Sequence, residues 1–391
     1  MAISRRSFVQ AAGIGAAGAW IGGRGREHSV WSKFAPTLEA IEPGMIVLSS
    51  NENPLGPGKA VMKAVRAAFG EGARTPGRYS LTGGDLTDAI AARIGVKPEN
   101  IVLGAGSTQI LRTATHLFTA KDKPLVGTIP TYEECAGYAE MMGHPVRPVA
   151  LDADFRIDLG KFAEAARGAG LVFYCNPNNP TATYVGASAT RDFLARVAKE
   201  APATTVLVDE AYFDYVTDPD HATTIPIALD NPRIVVARTF SKAYGMAGLR
   251  VGFAVGHADT IKKMRDWDGA TGSTTLNVLG LHAALAAVEQ DKSIVEAERA
   301  RNAASRDFTM RWFADRGMKP AASQANFMFV NIGRPAAGFR DACRARGVLV
   351  ARDFPPFEKT HCRIAFGTMD EMKKAVAVFG EVLGQKAATA A

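Results

Sequence analysis

Lys242 closes the run RTFSK where an apolar stretch, Ile234–Ala237, has just ended. An ammonium backed by apolar sequence is costly to bury charged, so a lysine there tends toward a lowered pKa and becomes a candidate Schiff-base nucleophile. A solvated lysine, its stem covering apolar surface and its head in water, is the plainer alternative. The neighbours favour chemistry. Ser241 precedes it, Arg250 follows eight residues on, and Asp209 and Tyr212 lie one apolar run earlier.

Asp209 ends the buried-looking run VLVD and is followed by Glu210. An ionised carboxylate at a sheet terminus needs a cation or hydrogen-bond donors. A protonated ring nitrogen of a cofactor is one such partner; an arginine ion pair is the other. Tyr212, three residues on, is placed to present its hydroxyl to the same ligand. Upstream, GAGSTQILRTATHLF sets glycines before Ser107 and Thr108 at a helix start, where backbone N–H groups, two hydroxyls and the helix dipole suit an anion. Ser107 as a simple N-cap fits the same letters. No Gly-Lys-Ser/Thr follows, so this is not a P-loop.

These residues need a scaffold that brings separate loops together. Ile101–Leu103, Leu171–Cys175, Val206–Val208, Ile234–Ala237 and Val251–Val255 are apolar bursts of strand length without period-2 polarity, as expected of strands covered on both faces. Amphipathic stretches lie between them, such as residues 190–200, where Phe193, Leu194 and Val197 share a face. The alternation predicts an α/β fold with a doubly wound, mainly parallel sheet, and ligands in such sheets sit beyond the carboxyl ends of the strands. GAGSTQ, NPNNPTA, DEAY and RTFSK all fall at such ends. From Thr274 to Gly317 the pattern reads as one long helical stretch, followed by short strands at Phe327–Val330 and Arg363–Phe366. The expected organisation is a signal segment at 1–28, an N-terminal arm contributing to a small domain at 29–75, a large domain at 76–288 and a smaller α+β domain at 289–391.

The chain has 391 residues and is 47% hydrophobic, enough for a large core. Its formal charge is +7, but residues 1–28 hold four arginines and one glutamate, leaving 42 basic and 38 acidic residues elsewhere. That balance does not suggest nucleic acid. The four cysteines show no C-x-x-C spacing, and no histidine stands at metal-ligand spacing, so no metal site is expected. At the start, SRRSFV followed by a short Ala/Gly-rich apolar stretch resembles the twin-arginine export signal, with Ala17-Gly18-Ala19 as a place for cleavage. That pathway carries proteins folded around a cofactor, which makes the export machinery an expected partner and the periplasm the expected location. If the signal is not used, the chain stays in the cytoplasm.

The ordered set SSNENPLGP, GRYSLTGG, GAGSTQ, PTYEEC, NPNNPTA, VDEAYFDY, TFSKAYGMAGLRVGF and CRIAFGT resembles the class I/II pyridoxal-phosphate aminotransferases, nearest to the histidinol-phosphate aminotransferase branch. The resemblance covers Val47 to the C-terminus. It implies a fold-type I transferase with pyridoxal 5'-phosphate as cofactor. Lys242 then forms the internal aldimine and shuttles a proton at the substrate Cα, while Asp209 pairs with the pyridinium nitrogen and keeps it an electron sink. Tyr212 and Asn179 hydrogen-bond the phenolic oxygen, Tyr132 stacks on the ring and Ala211 packs its other face. Ser107, Thr108, Thr239, Ser241 and Arg250 hold the phosphate. Tyr79, in GRYS, matches a tyrosine that reaches the phosphate from a neighbouring subunit, which implies a homodimer with shared sites. Arg363 matches the arginine that grips the substrate's anionic end, and Arg352, in VARDF, a second anion-binding arginine; as a bare sequence position Arg352 also reads as a surface charge.

Two positions depart from the family pattern. Ala182 replaces the usual glycine after NPNNPT, and Gln109 replaces the usual acidic residue after Ser107 and Thr108. Neither touches Lys242, so an amino group moving between an amino acid, or an amino-alcohol phosphate, and a 2-oxo acid is the expected reaction. The same cradle serves a racemase, decarboxylase, lyase or amino-acid oxidase, because the cofactor carries the chemistry and the pocket selects the outcome. A non-catalytic regulator on this fold is disfavoured by the presence of Lys242 and the lack of any DNA-binding segment. Export favours free amino acids or amines as substrates over phosphorylated biosynthetic intermediates.

Overall fold

The computed structural model describes residues 41–69, 83–267, 276–290 and 293–384. A seven-stranded sheet dominates. It is built from β2 (Ile101–Gly104), β3 (Leu125–Ile129), β4 (Val146–Ala150), β5 (Leu171–Cys175), β6 (Thr205–Asp209), β7 (Ile234–Thr239) and β8 (Gly252–Gly256), in the order β2-β8-β7-β6-β5-β3-β4. Every residue of β5, β6 and β8 is buried. Helices cover both faces of such a sheet, which is why its strands read as unbroken apolar runs.

The sheet is parallel except at β8, which runs antiparallel to both β2 and β7. The reason lies in the connection. A parallel return needs a crossover, usually helical, whereas residues 240–251 between β7 and β8 contain only the 3₁₀ turn Ala247–Leu249. Two strands lie beyond the apolar bursts picked out from the sequence. β3 is interrupted by Gly127, and β4 carries Pro148 and is largely exposed, as an edge strand permits.

The helix Ala187–Glu200 buries Phe193, Leu194 and Val197, the face its periodicity indicates. The single helical stretch expected from Thr274 to Gly317 is two helices, Val278–Glu289 and Ser293–Ala314. Gln290 caps the first in an extended conformation, so the apolar period is interrupted where the backbone leaves the helix. Beyond them, β9 (Phe327–Asn331) pairs antiparallel with β11 (His361–Ala365), and β1 (Ile46–Leu48) pairs in parallel with β10 (Val348–Val350). Phe313, Phe327, Phe339 and Phe379 pack in the core beneath these strands. The last helix, Met369–Leu383, opens on a capping box between Thr368 and Glu371 and stops at Gly384, whose φ of 70° is left-handed.

β5, β6 and β7 are adjacent and parallel, so the loops NPNNPTA, DEAY and RTFSK leave the same edge of the sheet side by side. GAGSTQ follows β2, which points the same way because β8 reverses direction twice over between it and β7.

Candidate active site

Lys242 leaves the end of β7 with its Nζ 3.5 Å from the Ser50 carbonyl and 5.5 Å from the centre of the Tyr212 ring. Burial pushes its ammonium down to about 8, and the positive charges of Arg363 and Arg250 act the same way against Glu52 and Asp209. Asp209, the last residue of β6, is 3% exposed. Its Oδ1 accepts the Ala211 N–H at 3.1 Å, its Oδ2 lies 4.0 Å from the Cys175 thiol, and burial holds its carboxyl up to about 6. No arginine pairs with it in the hydrogen bonds and ion pairs of the described residues; the partly buried Arg238, on the neighbouring strand, pairs with Glu210 at 2.7 Å instead. A buried carboxylate so placed suits a cationic partner from outside the chain.

Arg250 adopts a left-handed backbone, φ 52°, which turns its side chain back toward the end of β7. Its Nη1 donates to Ser241 Oγ at 3.4 Å and to the Ala247 carbonyl at 2.9 Å, and its Nη2 to Thr108 Oγ1 at 3.3 Å. Thr239 Oγ1 donates to Ser241 Oγ at 2.9 Å. Ser107 and Thr108 lie in the first turn of the helix Gly106–Phe118, whose N-cap position is Ala105. The alternative of Ser107 as a plain N-cap therefore does not hold; Gln109 Oε1 accepts the Ala105 N–H at 2.6 Å. The backbone crowds closely here: a Cβ on Gly106 would lie 2.3 Å from Arg250 Nη2, and one on Gly252 2.4 Å from the Ser107 nitrogen. A guanidinium, hydroxyls and a helix N-terminus thus converge, the chemistry of a phosphate cradle.

Arg363, on β11, is 8% exposed. Its Nη1 donates to Asn179 Oδ1 at 2.7 Å and its Nη2 to the Ser49 carbonyl at 2.6 Å, while its buried Nε has no hydrogen-bond partner among the described residues. Burial lowers its pKa to about 10. Arg352 is half-buried rather than a surface charge: it donates through Nη2 to Glu133 and through Nη1 to the Asp353 carbonyl at 3.0 Å. Burial raises the Glu133 carboxyl, with Arg352 opposing.

Tyr132 is desolvated beside Thr108, which pushes its phenol above the ordinary range. Ala211 follows Asp209 by two residues and packs on the C-terminal core with Tyr212. Tyr79 and the Arg5–Arg6 pair lie outside the described residues.

Sequence reasoning missed several supports. Asn51, left-handed at φ 54°, donates from Nδ2 to the Tyr212 hydroxyl at 3.2 Å, and Asn326 donates to the Asn51 carbonyl at 2.9 Å. Asparagine tolerates that backbone, and its place in SSNENPLGP was the available signal. Glu133, in PTYEEC, gave none, because its partner Arg352 is 219 residues away. Ala182 sits at φ 62°, a conformation that suits the glycine it replaces.

The donor set fits a phosphorylated pyridine: a phosphate cradle, a lysine of lowered pKa and a buried carboxylate for the ring nitrogen. Residues 43–379 match the family described as aminotransferase class I and II. A histidinol-phosphate aminotransferase of Moorella thermoacetica is 33% identical over 341 residues, 87% of this chain and 86% of that protein. Histidinol-phosphate aminotransferase 2 of Methylococcus capsulatus is 35% identical over 349 residues, 87% of this chain and 90% of its own length. The crystal structure of the Sinorhizobium meliloti histidinol-phosphate aminotransferase in complex with pyridoxal-5'-phosphate is similar at a TM-score of 0.76 and 26% identity, covering 98% of this chain and 95% of that one.

Proposed function

Because the chain belongs to the class I and II aminotransferases, we propose a specific division of labour among its residues and a substrate with a carboxylate end. The protein is a pyridoxal-phosphate-dependent aminotransferase that moves an amino group between an amino donor and a 2-oxo acid. Bound pyridoxal phosphate supplies the electron sink. Arg250, Ser241, Thr239, Ser107 and Thr108 would hold its phosphate, Asp209 would pair with the ring nitrogen, Tyr212 and Asn179 would hydrogen-bond the phenolic oxygen, and Tyr132 and Ala211 would confine the ring. Lys242 holds the cofactor and then takes and returns the proton at the substrate Cα. Its pKa of about 8 leaves a useful fraction of neutral amine near neutral pH.

The substrate assignment rests on one observation. Arg363 is buried, anchored through both terminal nitrogens, and left with an Nε that has no partner among the described residues. A buried guanidinium with an unused donor calls for an anion, and a carboxylate satisfies it. The test is the absorbance of the purified protein mixed with candidate amino acids, with and without a 2-oxo acid. Bleaching by a donor and recovery with an acceptor support transamination; peroxide or carbon dioxide release would sink it.

The same reading includes export by the twin-arginine route to the periplasm, supported by the Arg5–Arg6 motif, and a homodimer in which Tyr79 reaches the partner's phosphate. It also keeps the division into a large domain at 76–288 and a small domain at 289–391, to which the arm at 29–75 contributes. Cell fractionation of the intact chain against a double Arg5→Lys, Arg6→Lys variant tests export. Sedimentation equilibrium tests the dimer.

A further inference from the structure

Arg363 and Arg352 share one aromatic platform: their guanidinium carbons lie 4.8 and 4.6 Å from the centre of the Phe354 ring. Two cations so close to one corner suit a dianion. Glu133 changes that balance. It stands next to Tyr132, just ahead of the helix Glu134–Met141, with its side chain 17% exposed, and its Oε1 accepts from Arg352 Nη2. Arg352 also donates to the Asp353 carbonyl, and Asp353 is itself held by Arg340 at 2.8 Å. The charge of Arg352 is therefore met from within the chain, whereas the Nε of Arg363 has no partner among the described residues.

We propose that Glu133 sets the anion selectivity of this corner: it leaves the arginine pair one net positive charge, so the site prefers a substrate ending in a carboxylate to one ending in a phosphate monoester. This rests on the reading that Arg363 receives the substrate's anionic end. A carboxylate brings one negative charge, a phosphate monoester close to two at neutral pH. Each additional negative charge meets the Glu133 carboxylate in a partly desolvated pocket, where like charges are weakly screened. The phosphate must also displace Glu133 to reach both arginines, while a carboxylate is satisfied by Arg363 alone.

The experiment uses the holoenzyme at pH 8, with the cofactor's own phosphate site filled. Acetate and inorganic phosphate are titrated as competitors of an amino donor, for the wild type, Glu133→Gln and Glu133→Asp, with matching thermal melts as a check on folding. Glu133→Gln keeps the shape and removes the charge. It is expected to tighten phosphate about tenfold or more while changing acetate less than about threefold. In the same variant, kcat/KM for histidinol phosphate relative to an amino-acid donor rises in the same sense. Glu133→Asp keeps the wild-type preference. An unchanged phosphate-to-acetate ratio in Glu133→Gln overturns the proposal, and so does an Asp variant that behaves like Gln, since shape rather than charge then governs. If neither anion competes in the wild type, the Arg363 reading falls and this proposal with it; competition with an unchanged ratio overturns this proposal alone.

Discussion

Arg363 Nη1 lies 2.7 Å from Asn179 Oδ1, a bond between residues 184 positions apart that ties β11 to the NPNNPTA loop after β5. Both residues are buried, so neither is screened by water. The amide holds one edge of the guanidinium and leaves the Nε edge for an anion. Arg363→Gln is expected to raise KM for a carboxylate substrate about 10- to 100-fold, the loss of a charge-assisted hydrogen-bond pair. Steady-state kinetics check it, and an unchanged KM would rule out this residue as the anion grip.

Lys242 titrates near 8 because burial penalises its charged form. The neutral amine is the form that captures the cofactor, and a lowered pKa means this form is populated above about pH 8. The rate at which cofactor-free protein takes up pyridoxal phosphate, followed by absorbance, should rise from pH 7, reach half its plateau near pH 8 and level off roughly one unit above that. Lys242→Ala should lower amino-group transfer by about a thousandfold or more. Turnover retained in that variant would refute the assignment.

Asp209 carries the opposite sign. Its folded pKa of about 6 exceeds the ordinary 3.8 because of burial, so the stability it contributes is present below 3.8 and lost as pH rises through about 6. In cofactor-free protein the loss amounts to about 3 kcal/mol. Asp209→Asn should therefore melt above the wild type at pH 8, with the gap closing near pH 4. Adding cofactor, whose cationic ring nitrogen stabilises the carboxylate, should shrink the gap at pH 8 in thermal melts.

Ala182 holds a left-handed backbone at φ 62° with its methyl fully buried. Glycine would relieve about 1 kcal/mol of strain and forfeit about 0.8 kcal/mol of methyl burial. Ala182→Gly should thus change unfolding free energy by less than about 1 kcal/mol in urea titration. A larger loss would show that the methyl packs better than its area suggests.

Gly106, at φ 73°, leaves no room for a side chain beside Arg250. Gly106→Ala should push the guanidinium off Thr108 and weaken cofactor binding about tenfold or more, measured by equilibrium dialysis. Binding as tight as the wild type's would remove Arg250 from the phosphate cradle.

The sequence by itself determined the α/β alternation, most of the buried strands and the loops that carry Lys242, Asp209, Ser107 and Arg250, because apolar strand cores and polar strand ends leave local marks. It also indicated the family, through motifs that recur in order. Tertiary structure alone decided the rest. β8 runs antiparallel because residues 240–251 hold no crossover helix, a fact of connection rather than composition. The helical stretch after Thr274 divides at Gln290, where the backbone turns extended, a break that the helical reading of the whole stretch did not place. Asn51 on Tyr212, Asn179 on Arg363 and Glu133 on Arg352 join residues more than 150 positions apart, and no local period records which distant charge a buried side chain will meet.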